Sequence, residues 1–142
     1  MISAVLDSNI FISSFLFNGN QRRIVNHAIE GDFRINISHE ILSEIDSVLK
    51  RPKFKLTFNQ IFLFLNEVSS LSEICYPSGK IIDSCRDSND HIILECAVES
   101  KSDYIVTGDN DLLILKKYKA ITIINSDAFL SILEEQSTQE LI

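Results

Sequence analysis

Ala4-Val5-Leu6-Asp7 decides how the chain is read, because three apolar residues in a row stop abruptly at a carboxylate. A short apolar run of this kind predicts a buried strand, with the acid at its carboxyl end. The same pattern recurs at Tyr104-Ile105-Val106-Thr107, followed by Gly108-Asp109, and an apolar run returns at Ile121-Thr122-Ile123-Ile124. Between these strands lie stretches of helical periodicity. Ile10 to Phe17 predicts a short helix that Asn18-Gly19-Asn20 breaks, and Gln21 to Glu30 a second, with Gly31 as its stop. Phe33, Ile35 and Ile37 alternate with Arg34 and Asn36, the pattern of a half-buried strand. Ser38 caps a predicted helix from His39 to Lys50, which Arg51-Pro52 ends. Thr57 and Gln60 form a capping box for an apolar helix reaching about Ser70. Glu73 to Tyr76 predicts a weaker strand, and Pro77-Ser78-Gly79 a turn. Helices are then expected over Asp90–Ser100, over Asp111–Tyr118, and from a Ser126 cap to about Glu134.

Strands alternating with helices predict an α/β three-layer sandwich. Its centre is a mostly parallel sheet of about four to five strands with Rossmann-like topology. The 142 residues suit one domain, over 1–134, with a polar tail over 135–142. A hydrophobic fraction of 45% with 23% charged residues matches soluble globular proteins, and no apolar stretch is long enough for a membrane span. The N-terminus has no basic region and meets Asp7 early, so no signal peptide is expected. Cys75, Cys85 and Cys96 are odd in number and lack CxxC spacing, which disfavours a disulfide framework or zinc site and favours a reducing cytoplasm. Cys96 is expected to pack as a small hydrophobe.

A net charge of −7 argues against broad, sequence-independent nucleic-acid binding. The charge is uneven, however. Asp83, Asp87, Asp90, Glu95, Glu99, Asp103, Asp109 and Asp111 crowd the stretch from Lys80 to Asp111, whereas Lys50, Arg51, Lys53 and Lys55 form a run without acids. Clustered acids point to a divalent cation, and the basic run to a phosphate backbone.

Ligand sites of open parallel sheets form outside the carboxyl ends of the strands. Asp7 and Asp109 fall there, each a turn residue or a ligand. On the helix after Ser38, the stripe Ile41, Leu42, Ile45, Val48 and Leu49 faces the core, and Glu44 lies at its border, about 40° outside at 100° per residue. Glu44 is therefore either a boundary residue or an acid aimed along the sheet edge, while Asp46 lies on the opposite side. Asp90 shares a face with Ile93, Leu94 and Ala97, either as a first-turn helix-stabilising acid or as an inward-pointing ligand. Carboxylates converging without Lys or Arg need a counter-charge, and oxygen donors without thiols or clustered histidines suit Mg²⁺ or Mn²⁺. His27, His39 and His91 are scattered and are read as structural or surface residues. Phe11, Phe15, Phe58, Phe62 and Phe64 are read as core or dimer interface.

These residues carry a resemblance. Val5-Leu6-Asp7-Ser8-Asn9 resembles the opening motif of PIN domains, and Ser38-His39-Glu40-Ile41-Leu42-Ser43-Glu44-Ile45 their second. Arg86-Asp87-Ser88-Asn89-Asp90-His91 and Tyr104-Ile105-Val106-Thr107-Gly108-Asp109-Asn110-Asp111 are similar to the third and fourth. Four motifs in order, from about Ile2 to Leu133, resemble most the VapC-like branch, the toxins of type II toxin–antitoxin pairs. The resemblance implies an endoribonuclease dependent on Mg²⁺ or Mn²⁺, a homodimer restrained by a cognate antitoxin. It implies that Asp7, Glu44, Asp90 and Asp109 are catalytic acids and metal ligands, with Asp111 as an additional or alternate ligand. Asn9 and Thr107 would orient those acids through hydrogen bonds. The uneven charge, apart from the resemblance, makes Lys50, Arg51 and Lys53 the expected RNA contacts. Ser88 and Asn89 stand where many relatives carry Pro and a further Asp. Two other readings compete. One is a non-catalytic PIN-like module that binds RNA or protein. The other is a phosphoryl-accepting signalling domain, disfavoured because Ile124-Asn125 stands where such domains want a Lys.

Overall fold

Strand β1 (Ser3–Leu6) lies inside the sheet with all four residues buried, as its apolar run requires. The structure is a computed structural model that describes residues 1–78 and 88–140. Gly79, Lys80, Asp83, Cys85, Arg86 and Asp87, named above from the sequence, lie outside the described residues. The other strands are β2 (Arg34–Ser38), β3 (Ser72–Cys75), β4 (Tyr104–Val106), β5 (Lys117–Tyr118) and β6 (Ile121–Ile124). Their order is β3-β2-β1-β4-β6-β5, and every pairing is parallel except β5 with β6. The helices are α1 (Ser8–Leu16), α2 (Asn20–Ile29), α3 (His39–Leu49), α4 (Phe58–Leu71), α5 (Ser88–Glu99), α6 (Asn110–Leu113) and α7 (Ser126–Glu140). The α/β architecture with a central, mostly parallel sheet is the one the alternating pattern predicts.

Local signals set most boundaries. The Ser38 side chain accepts from the Ile41 N–H, and Thr57 and Gln60 form the reciprocal capping box of α4. Gly31, after α2, takes φ +83°, a conformation open to glycine without a Cβ penalty. The core is built where α3 lies on β2. Ile35, Ile37, Ile41, Ile45 and Leu49 are wholly buried, each contributing roughly 1.5–3 kcal/mol. Phe33 meets Phe129 edge-on at 5.0 Å, and Arg23 with Glu134 and Asn20 with Asp127 tie α2 to α7.

Several expectations change. Asn36 is buried, not solvent-facing, because β2 is an interior strand covered on both sides. Its amide donates to Ser102 Oγ at 2.8 Å, which satisfies the buried group. The helix expected over Asp111–Tyr118 stops at Leu113. Lys116 adopts φ +59°, which a right-handed helix cannot contain, and Lys117–Tyr118 turns back as an antiparallel strand on β6. That hairpin is the sixth strand, and it covers the edge of β6 that the shorter sheet would have left open. The last helix runs on to Glu140, and Asn125, not Ser126, caps it by accepting the Ala128 N–H at 2.9 Å. Cys96 is buried as expected, and its Sγ lies 3.1 Å from that of Cys75. Among the described residues no helix is long and apolar enough to cross a membrane.

Candidate metal centre

The strand order reverses direction between β1 and β4: the chain winds one way through β2 and β3 and the other way through β4 and β6. At such a switch point the connections diverge and leave a crevice at the carboxyl edge. Asp7 leaves β1 at that crevice and Thr107 leaves β4 beside it, since Leu6 pairs with Val106.

Asp7 is nearly buried and held on both oxygens. Its Oδ2 accepts from the Thr107 hydroxyl at 2.7 Å, and its Oδ1 accepts from the Asn9 N–H and the Ser8 hydroxyl, both at 3.3 Å. The same Thr107 oxygen accepts the Asp109 N–H at 3.0 Å, and Asp109 Oδ1 in turn accepts the Asp111 N–H at 2.9 Å. One threonine, buried without exposure, thus couples the acid after β1 to the turn after β4. The roles expected of Asn9 and Thr107 divide accordingly. Thr107 acts through its side chain, and Asn9 through its main-chain N–H while its side chain is exposed. Ser8 was not singled out from the sequence. Its position directly after the acid was the available signal.

Asp90 sits in the first turn of α5 and is 5% exposed. It meets Asp109 and Asp111, and the three offer carboxylate oxygens that all lie within 4.8 Å of one another. Asp109 is half-buried and Asp111 exposed, so the trio runs from the buried sheet edge out to solvent. Among the described residues this tight group does not include Asp7 or Glu44. Glu44 is half-buried on α3, with its Oε2 shielded from solvent, one turn from Val48 at the border of the apolar stripe.

The donors of the trio are oxygens alone, without thiol or imidazole, which suits a hard divalent cation of the Mg²⁺ or Mn²⁺ type. Clustering of the three carboxylates makes a cation their natural counter-charge.

The basic run lies elsewhere. α3 starts at the carboxyl edge and runs away from it, so Lys50 ends up six residues beyond Glu44, roughly 9 Å along the axis. Its ammonium pairs with Asp46 at 2.9 Å and lies over the Phe58 ring, and Lys53 lies over Phe54. His27 pairs with Asp32, in a group with Glu30 that could also hold an ion, and His91 pairs with Glu95.

A mostly parallel sheet with acids gathered at its switch point defines an α/β protein with a carboxylate cluster of a kind that could hold a cation. The chain belongs to the PIN-domain family, whose model, described as the PIN domain, matches residues 3–111. No curated protein matches it by sequence. Among solved structures, a chain in the crystal structure of VapBC2 from Rickettsia felis bound to a DNA fragment from their promoter is similar in fold. The two share 18% identity with a TM-score of 0.61, over 87% of this chain and 98% of that one.

Proposed function

We propose that this chain is an endoribonuclease dependent on Mg²⁺ or Mn²⁺, hydrolysing RNA phosphodiester bonds as the toxin of a toxin–antitoxin pair in the cytoplasm. The observation that carries it is the buried Asp90 facing Asp109 and Asp111 at the switch point of a PIN-domain sheet. Asp90, Asp109 and Asp111 would hold the cation, with Asp7 and Glu44 completing the acidic wall. Such an ion, when bound, activates water and stabilises the leaving oxygen of a phosphodiester.

The chain's own residues do the positioning. Thr107 keeps Asp7 pointing into the cleft by donating to Oδ2, so the acid does not reorganise as charge develops. The Asp111 N–H on Asp109 Oδ1 fixes that carboxylate and leaves its second oxygen available to the cleft.

The toxin assignment is supported by likeness to a chain of the Rickettsia felis VapBC2 complex, and it implies an antitoxin partner. Homodimerisation is supported by Phe58, Phe62 and Leu63, which are exposed on α4 although apolar. Mixed RNA incubated with the protein and Mg²⁺ or Mn²⁺ is expected to be cut, with cleavage stopped by EDTA. Cleavage undiminished by chelation, or none with either metal, rejects the proposal and in the second case favours a binding module. Light scattering at micromolar concentration is expected to give a dimer mass.

A further inference from the structure

The carboxyl edge of the sheet carries a feature that the acid cluster does not use. Ser38 pairs with Cys75 at the ends of β2 and β3, so His39 and Tyr76 are the next residues out from neighbouring strands. Their rings meet, with centroids 5.5 Å apart and planes tilted by 50°. Tyr76 is 70% exposed and His39 is exposed too, so the contact leaves ring surface open to solvent. Val5 pairs with Asn36, which brings Asp7 level with Ser38 and Cys75 along the same edge. His39 and Tyr76 therefore follow strands one and two spacings from β1, about 5 and 10 Å, and two and three spacings from β4, whose turn carries Asp109, about 10 and 15 Å.

The geometry points to a base-stacking platform: His39 and Tyr76 receive an unpaired nucleobase of a single-stranded RNA whose chain runs on along the same sheet edge to the phosphate held at the acid cluster. This rests on the nuclease reading and names the form of its substrate. Histidine and tyrosine faces stack unpaired bases, whereas bases inside a duplex are already stacked and cannot reach them. A nucleobase needs only the ring faces, and a phosphate further along the strand goes to the cation site. An apolar protein surface placed here would have to desolvate the neighbouring carboxylates, which disfavours it. Stacking is also sequence-tolerant, so the platform selects single strands over duplexes before it selects among bases. It supplies attraction that a chain of net charge −7 lacks from its surface charge.

The test is titration of the full chain into a single-stranded oligoribonucleotide containing 2-aminopurine, in Ca²⁺, followed by fluorescence. Tyr76→Leu and His39→Leu are each expected to weaken binding on the order of tenfold, and Tyr76→Phe to bind as the unaltered chain does. The salt dependence of binding should not change, because no phosphate contact is lost. Under Mg²⁺, KM should rise for the two Leu variants with kcat preserved, and a duplex of the same sequence should bind weakly to every form. Melting temperatures accompany each variant, and His39→Leu stands as a second probe should Tyr76→Leu fail to fold. Unchanged affinity in a folded Leu variant overturns the platform, as does a Tyr76→Phe loss equal to that of Tyr76→Leu. Failure of the unaltered chain to bind the single strand overturns it as well. Ring-dependent binding without cleavage in Mg²⁺ or Mn²⁺ leaves the platform standing and rejects the nuclease reading alone.

Discussion

Changing Asp90 to Asn removes one charge from the centre of the acidic cleft while keeping the size of the side chain. Oxygens of Asp90, Asp109 and Asp111 lie within 4.8 Å of one another. Each pair of charges at that distance repels by about 3.5 kcal/mol at an effective dielectric of ~20, and by about 1 kcal/mol at that of water. Asp111 is exposed and its share falls toward the lower figure, whereas Asp90 is nearly buried and Asp109 half-buried. Against that relief stands the lost attraction of a carboxylate to the α5 N-terminus, roughly 0.3–1 kcal/mol. Without metal, Asp90→Asn should therefore melt at the same temperature as the unaltered chain or a few degrees higher. With metal the order reverses. At a hundredfold excess over Kd the unaltered chain gains about 2.7 kcal/mol, and the variant should gain much less. Cleavage should fall at least about a hundredfold, equivalent to roughly 2.7 kcal/mol of transition-state stabilisation. Asp7→Asn should lose cleavage likewise but melt lower, because an amide cannot accept on both sides from Thr107, Asn9 and Ser8. Asp46→Asn, in a surface pair with Lys50, should change little. The assays are thermal melting with and without Mg²⁺, and RNA cleavage. An Asp90→Asn chain that unfolds would make Asp90 a structural helix-start residue, and one that cuts RNA normally would remove it from the site.

Thr107→Val deletes the hydroxyl that serves both Asp7 and the Asp109 N–H, leaving two groups short of a partner at about 1–3 kcal/mol each. It should lower both melting temperature and kcat, and Thr107→Ser should restore most of each. Replacing Lys50, Arg51 and Lys53 together by Ala tests whether the run at the far end of α3 meets RNA. If it does, the slope of log affinity against log salt should flatten by up to ~0.7 per lost phosphate contact on a single strand. An unchanged slope assigns the run to the solvated surface or to a protein partner. The Cys75 thiol is held below its ordinary pKa by the hydrogen bond from Cys96, outweighing its burial and the nearby Glu99. Cys96 is pushed up, first by that same bond and then by burial. As pH rises, iodoacetamide should therefore modify Cys75 before Cys96, at a midpoint below that of a free thiol, with Cys96 reacting only on unfolding. Peptide mapping showing equal rates would contradict the shared proton.

How far the sequence alone reaches depends on whether a property is local. Caps, strand cores and most helix bounds follow from residues a few positions apart: Ser38 with Ile41, Thr57 with Gln60, Ala4 to Leu6 too apolar for anything but burial. Parallel topology follows from alternation, and the acids after β1 and β4 from their place at strand ends. Three things needed the tertiary structure. The helix expected after Asp111 became a hairpin because the open edge of β6 accepted Lys117–Tyr118, an attraction that no helical periodicity records. Asn36 is buried because both faces of the sheet are covered at β2, where Ile35 and Ile37 on the other face are buried too, while Ser102, its partner, lies 66 positions away. The grouping of acids was also decided by folding. Asp90 lies nineteen or more positions from Asp109 and Asp111, yet their oxygens share one small volume, while Glu44 and Asp7 stand outside that trio. The His39–Tyr76 contact is of the same kind, created only when β2 and β3 lie side by side. Local patterns report which face of an element is apolar, but the meeting of distant side chains depends on strand order and register, and these are set by the packing of the whole sheet.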